Sequence, residues 1–495
     1  LVRGDRVAQR GHPRYLIPGK PLPTKEQVAS LLALGEWVAV HGVDAAGDHR
    51  AARDLLLRVP PRFSSSSARP LRDLTETAEA AAVRVAGELD GGCLPIQGPP
   101  GSGKTYTAAR IALDLVKRGR RVAVTATSHK VISKLLETVA DAADDAGCSP
   151  RMVQKCDEKE LCAADGVQRA ERNDDVVTAL EQDSVDIAGG TAWLFADDKL
   201  SGCFDTLIVD EAGQMSLADV VAVSRCARNI VLVGDPRQLA QVVQGTHPDG
   251  AGVSALQHLL GDGITVPGDR GIFLDRTWRM APEVCSFVSQ TFYEGRLEPV
   301  AECARQAIVP ASGEALTGLR TAEVQHEGDR TFSPAEAERV ALIVEQLLAS
   351  TWRHRDGSLR PLTIHDILVV APYNAHVAAL IGALPPDARV GTVDKFQGQE
   401  AAVSIFSMAT SSTEDLPRNL EFLYSMNRLN VAVSRARCLS ILVYSPALLH
   451  TRCHTPEQMR LVNALCRYVE AAAAWTLERP SVQVEQLALP GAGVL

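Results

Sequence analysis

The sequence predicts an α/β fold divided into two tandem lobes, each a parallel sheet covered by helices on both faces. Three observations predict it. Short β-branched runs alternate with helix-period stretches from Leu74 to Gly261 and again beyond Gly271, the pattern of strands buried on both faces and joined by crossover helices. A glycine-rich segment, Gly98-Pro99-Pro100-Gly101-Ser102-Gly103-Lys104-Thr105, lies between an apolar run and a helical one. The 495 residues also exceed what one hydrophobic core organises, since chains beyond about 250–300 residues divide into domains.

Along the chain, residues 1–72 read as an N-terminal appendage and linker, with one helical run around Lys25 to Val40 and a turn-rich stretch from Pro60 to Ser67. The first lobe, 73–265, has strand candidates at Leu94–Gln97, Arg121–Thr125, Thr206–Val209 and Asn229–Val233. Val131, Ile132, Leu135, Leu136 and Val139 recur at helical spacing after Ser128. A small helical insertion is expected over about 137–186. The basic run Lys117-Arg118-Gly119-Arg120-Arg121 reads as a helix end, with cations at the negative end of the dipole and Gly119 closing the helix. The breaker-rich span Gly261 to Gly271 is the expected boundary and hinge. The second lobe, 266–475, has strand candidates at Ile367–Val370, Arg389–Val393, Val403–Ser407 and Leu439–Val443. Ser333-Pro334-Ala335-Glu336 opens a helix with a serine cap, proline at the first helical position and a glutamate able to reach back. Residues 476–495 read as a frayed tail.

Composition narrows the function classes. Hydrophobic residues make up 46% of the chain, yet no apolar run approaches the roughly 18 residues of a membrane span. No secretory signal is visible, and the eleven cysteines are scattered without a Cys-x-x-Cys pair, so the expectation is a cytoplasmic protein with reduced thiols and no membrane partner. Cys148, Cys156 and Cys162, or His450, Cys453 and His454, are close in sequence but match no metal-ligand spacing. A net charge of −9 argues against a general polyanion binder while leaving room for a narrow basic groove.

The chemistry is carried by a few short segments. In Gly98–Thr105, glycines let successive backbone N–H groups converge on phosphate oxygens at the positive end of the following helix. Lys104 would reach the β- and γ-phosphates, and Thr105 supplies a hydroxyl for Mg²⁺. Thr206-Leu-Ile-Val-Asp210-Glu211 ends an apolar strand in two carboxylates, which sets Asp210 to hold Mg²⁺ and Glu211 to orient or deprotonate a water. Gln238, in the turn Gly234 to Leu239, can donate to a phosphate oxygen and accept from a water. Arg279 and Arg435 lie beyond the hinge.

Together these residues resemble the superfamily 1B helicases, of the type found in nonsense-mediated mRNA decay and Okazaki-fragment processing. The resemblance covers Gly98 to Thr105, Thr125 to Lys134, Asp210 to Gln214, Gly234 to Leu239, Arg276 to Pro282, Gly391 to Glu400 and Asn427 to Arg437, in the family's order. Ser128-His-Lys-Val-Ile-Ser133 and Asp394-Lys-Phe-Gln-Gly-Gln-Glu400 look most like the helicase half of bacterial proteins that join a RecB-like nuclease to such a motor. The resemblance implies two RecA-like P-loop NTPase domains with ATP and Mg²⁺ between them. Lys104, Thr105, Asp210, Glu211 and Gln238 would line the first domain's side, with Arg279 and Arg435 reaching the γ-phosphate from the second. Trp278 would lie beside the adenine and Glu400 would contact the ribose, with Gly398 allowing close approach, and Tyr106 would belong to the same nucleotide-binding set. Thr127, Ser128, Thr191 and Thr392 match segments that contact the nucleic-acid backbone. The implied activity is ATP-driven movement on single strands, 5′ to 3′, by a monomer, with DNA slightly preferred over RNA. The alternatives are an ATP-controlled clamp without unwinding, or the motor half of a DNA-end-processing nuclease-helicase with a RecB-like nuclease domain or subunit. The family's upstream glutamine has no counterpart: Leu74 to Val85 offers Glu76 and Glu79 instead, which leaves selectivity for adenine open. Residues 1–72 hold no nuclease carboxylate cluster.

Overall fold

The computed structural model describes residues 23–64, 70–240, 250–311, 313–417 and 419–476. The expectations for residues 1–22 and 477–495, and for part of the serine-rich linker, lie outside the described residues.

In chain order the first lobe's strands are β1 (Cys93–Gln97), β2 (Val122–Thr125), β3 (Met152–Lys155), β4 (Val167–Ala170), β5 (Ile187–Gly189), β6 (Phe204–Val209), β7 (Ala227–Gly234) and β8 (Ile272–Phe273). They form one sheet in the order β4-β3-β5-β2-β6-β7-β1-β8, every pair parallel. Every residue of β1 and β2 is buried, because helices cover both faces. On one face, the helices Ala78–Glu88, Lys104–Lys117 and His129–Asp145 contribute Ala82, Ile111 and Leu135 to a core with Leu94 and Ile208. On the other, Leu217–Val223 contributes Val220.

That second face is also covered by what the sequence suggested was an appendage. The helices Lys25–His41 and Arg50–Leu57 place Leu34, Ala51, Ala52 and Leu55 in the same core as Leu207 and Ile230. Leu55 is fully buried, a contribution of about 1.5–3 kcal/mol. Arg50–Leu57 lies against β1 and β7, and Lys25–His41 packs on Leu217–Val223, so the helical part of 1–72 belongs to the first lobe.

The expected helical insertion at 137–186 is corrected as well. It carries the end of the helix His129–Asp145, the strands β3 and β4 at the edge of the sheet, and the nine-residue helix Asn173–Glu181. Met152 and Val153 fall into cores on opposite faces, the two-residue period of a strand, in a run too short and polar to announce it.

The second lobe begins later than residue 266, since β8 completes the first sheet. It has β9 (Arg276–Thr277), β10 (Glu298–Pro299), β11 (Ala307–Val309), β12 (Gly318–Glu323), β13 (Thr351–Arg353), β14 (Leu359–Pro361), β15 (Ile367–Ala371), β16 (Arg389–Thr392), β17 (Ala401–Ser407), β18 (Ala436–Tyr444) and β19 (Ala473–Ala474). Its main sheet runs β16-β15-β17-β18-β12-β19, again all parallel. The helices Pro334–Leu348 and Asn374–Ala383 pack on one face, and Pro282–Phe292, Met426–Ser434 and Pro456–Ala471 on the other. No helix among the described residues is long and apolar enough to cross a membrane.

Register sets up the site. Gln97 pairs with Gly234, and Val209 stands beside both Thr125 and Leu232. The chain leaves β1 for β2, and only later fills the gap with β6 and β7. The loops after β1, β6 and β7 therefore open side by side at the carboxyl edge of the sheet, where open α/β sheets bind ligands.

Candidate active site

The loop 98–105 turns directly from β1 into the helix Lys104–Lys117. Gly101 and Gly103 have φ of 72° and 82°, left-handed values that a side chain would strain. A Cβ on Gly101 would also lie 2.5 Å from Arg279 Cβ and 2.6 Å from Thr277 Oγ1, so the second lobe closes against the loop itself. Lys104 Nζ donates to the Gly98 carbonyl at 2.9 Å, which keeps the ammonium inside the loop's curve. Ser102 Oγ is buried with no hydrogen-bond partner. An orphaned hydroxyl, an inward ammonium and helix-start amides are the donor set a polyphosphate fits.

The acids follow β6. Asp210 is 2% exposed, and burial together with the Glu211 charge pushes its carboxyl up to about 7 against the opposing pull of Lys104. Glu211 has φ of 53°, a conformation that is uncommon outside glycine. Its backbone N–H donates to Asp210 Oδ1 at 2.8 Å and its side chain accepts from Gln214 Nε2 at 3.3 Å. Two crowded carboxylates beside the Thr105 hydroxyl line one cavity. This hard-oxygen set suits Mg²⁺.

The arginines come from the opposite lobe. Arg435 caps the helix Met426–Ser434 just before β18 and is 1% exposed. Its guanidinium donates to Gln399 O at 2.9 Å, Val431 O at 3.2 Å and, across the cleft, Gln238 Oε1 at 3.5 Å. None of these partners is charged. Burial and the neighbouring Arg279 lower its pKa to about 9 against the opposing charges of Glu211 and Glu400, neither of which pairs with it directly. Arg279 is held differently: it pairs with Glu400 and donates to Ser434 O at 3.1 Å. Glu400 also pairs with Arg437. Its two cations lead to a carboxyl below the usual range despite burial, which acts in the other direction. Arg279 and Arg435 therefore adjoin, but only Arg435 faces Gln238.

Two cavities open at this seam. One of about 770 Å³ runs from Gly101, Ser102 and Gly103 past Tyr106 and Trp278 to the segment Arg72–Glu79. Its two aromatic faces are half exposed, as a stacking base requires. Glu76 does not serve it with a free carboxylate, because Arg84 holds both oxygens at 2.8 and 2.9 Å. The other, of about 880 Å³, holds Thr105, Asp210 and Glu211, with Gln397–Gln399 from the second lobe and Thr127, Ser128 and Lys130 at its rim. Gly398, with φ of 75°, lies there too. Thr191 and Thr392 stand at the carboxyl ends of β5 and β16 and line neither cavity. Pro99 and Pro100 complete the loop, and the Pro100 carbonyl accepts from Thr277 Oγ1 at 3.0 Å.

Thr277 was not singled out by sequence reasoning. Nor was Asn427, whose amide donates to Gln238 O at 2.6 Å across the cleft. Trp278 N adds a bond to Gly101 O at 2.9 Å. A neutral hydroxyl or amide gives no signal until its partner is known.

Comparisons with known proteins agree with this geometry. Two models, each described as an AAA domain, match residues 73–249 and 252–446. The chain is 25% identical over 409 residues to the DNA polymerase alpha-associated DNA helicase A of Schizosaccharomyces pombe, covering 69% of this chain and 59% of that protein. It is 29% identical over 412 residues to the Regulator of nonsense transcripts 1 homolog of Drosophila melanogaster, covering 72% and 33%. It is 24% identical over 424 residues to the DNA replication ATP-dependent helicase/nuclease DNA2 of Gallus gallus, covering 82% and 40%. The chain thus spans from a third to about three-fifths of the length of these relatives. A phosphate loop on the first of two tandem α/β lobes, the ordered motifs and these likenesses are those of the superfamily 1B helicases.

Proposed function

We propose that the chain is an ATP-hydrolysing motor that moves along single-stranded nucleic acid, 5′ to 3′, with DNA slightly preferred over RNA. The observation that carries this reading is the meeting of Arg435 from the second lobe with Gln238 of the first, beside Glu211. A cleft built this way hydrolyses only when closed, because the cation that stabilises the transferring phosphoryl group belongs to the far lobe.

In this reading Lys104 and the loop's backbone N–H groups hold the β- and γ-phosphates, while Tyr106 and Trp278 flank the base. Thr105 and Asp210 would hold Mg²⁺, which would neutralise charge on the phosphate oxygens. Glu211 orients or deprotonates the attacking water, and Gln238 senses the γ-phosphate. Arg279 turns to the phosphates once Glu400 takes the ribose. Thr127, Ser128, Thr191 and Thr392 grip phosphate and sugar without reading bases.

Lys104→Ala is expected to abolish ATP hydrolysis stimulated by single strands, and normal hydrolysis by that variant would overturn the assignment. Strand displacement on tailed duplexes separates a motor from a clamp: good ATPase without displacement would favour the clamp. A second reading, the motor half of a nuclease-helicase, is favoured by the likeness to a protein named helicase/nuclease, of which this chain spans 40%.

A further inference from the structure

Between the two lobes, behind Gln238, lies a chain of buried polar groups that the catalytic roles above do not use. Asp235, in the turn after β7, is 1% exposed. Its Oδ2 accepts from Gln238 Nε2 at 2.9 Å and from the Tyr293 hydroxyl at 2.6 Å, while Oδ1 accepts from Arg237 N at 3.1 Å. Tyr293 follows the helix Pro282–Phe292 of the second lobe and is fully buried. Its hydroxyl accepts in turn from Asn430 Nδ2 at 2.8 Å. Asn430 is also fully buried, and its amide reaches back across the cleft to Arg237 O at 2.8 Å. It sits on the helix that ends at Arg435. One hydroxyl thus links the carboxylate that orients Gln238 to the helix that presents Arg435.

We infer that Tyr293 is the positioning residue that couples lobe closure to hydrolysis, by tying the orientation of Gln238 through Asp235 to the place of Arg435 through Asn430. Burial and the Asp235 charge hold the phenol well above its usual range, so it remains a donor throughout working pH. A buried hydroxyl bonded on both sides is costly to break and has few other geometries open to it. Gln238 and Arg435 therefore shift together or not at all, because the hydroxyl carries each lobe's movement to the other.

The inference rests on the motor reading, and its test is arranged to fail separately. Tyr293→Phe removes the hydroxyl and keeps the ring. The expected result is a fall of about tenfold to a hundredfold in the kcat of nucleic-acid-stimulated ATPase, with KM for ATP within about twofold of the parent, because the phosphate loop is untouched. Asn430→Ala is expected to act through the same path, so the double variant is no slower than the slower single one. By hydrogen exchange, segment 233–240 is expected to lose protection in Tyr293→Phe while 98–105 keeps it. Parental kcat in Tyr293→Phe would overturn the inference. So would additive losses in the double variant, or exchange rising evenly through both lobes, which would mark a merely structural role. If the parent hydrolyses no ATP with any nucleic acid, the motor reading falls, and exchange at 233–240 still decides whether Tyr293 sets the Gln238 turn.

Discussion

A single guanidinium shows how the site works at the scale of one residue. Arg435 is buried among neutral oxygens, an arrangement that isolated folding would not favour, since an unpaired buried charge is costly. It becomes reasonable if a polyanion visits. Arg435→Gln is expected to lower kcat by roughly 10³-fold with ATP affinity little changed, read from single-turnover hydrolysis beside nucleotide titration. Arg435→Lys should not restore it, because an ammonium cannot make the guanidinium's several directed bonds. The base pocket supports another prediction. With Glu76 consumed by Arg84, no side-chain amide lines this cavity among the described residues, and discrimination by shape alone is weak. The kcat/KM for GTP is expected within about tenfold of that for ATP; a gap near 10⁴ would mean that backbone groups read the base after all. Lys104, Asp210 and Glu211 stand out in the sequence by charge and spacing, whereas Gln238 and Arg435 stand out only through the ordered motifs that resemble the family. That Glu400 occupies Arg279 was not legible there, because 121 residues separate the pair.

Among the elements, the helix Pro334–Leu348 shows where local rules meet tertiary demand. Ser333 caps it, its Oγ accepting from Glu336 N at 3.3 Å, and Pro334 stands at its first position. Glu336 does not reach back to the cap. Its carboxylate is fully buried, bonded to His326 Nε2 at 3.1 Å, Ser407 Oγ at 2.5 Å and Ala409 N at 2.9 Å. The sequence pattern gave the helix start but could not show a histidine waiting across the sheet edge. His326 is desolvated, which lowers its pKa, yet Glu336 and Asp329 outweigh this and raise it above 6.5. A histidine with a raised folded-state pKa stabilises fully below its unfolded value and loses that contribution as pH rises through the folded value. Thermal unfolding followed across pH 6 to 9 is expected to show a decline in Tm for the parent that is smaller in His326→Gln. The neighbouring His376, lowered by burial, acts at the acidic end, and Asp210 and Arg435, which titrate inside this window, are the same in both proteins, so the difference between the two curves reports His326. Equal slopes in both proteins would assign the pH dependence elsewhere. The misread stretch 137–186 has the same origin: β4 is the edge strand and β3 the next one in, and their pairing, not composition, makes them strands.

Across the whole molecule, the two sheets face each other with opposite edges. The loops after β1, β6 and β7 meet Gln397–Gln399 and Arg435, which precede β17 and β18. Bonds from Thr277, Trp278, Asn427 and Asn430 to the first lobe hold this cleft together. Thr277→Val should loosen that closure and raise KM for ATP severalfold, with stability changed by about 1 kcal/mol or less, measured by kinetics beside denaturant unfolding. Binding to single strands should weaken steeply with salt, by about 0.7 log units per neutralised phosphate per log unit of salt, despite the net charge of −9.

Strand β8 has a practical meaning for dividing the molecule. Ile272 and Phe273 pair with Ile96 and Gln97, and Leu274 N closes on Gln97 O at 2.9 Å. A first-lobe fragment ending at residue 265 would strip β1 of that flank and bare a row of amides and carbonyls beside the phosphate loop, a template for recruiting other chains. Such a piece is expected to elute as aggregate in size exclusion, whereas one carried past Leu274 should run as a discrete species.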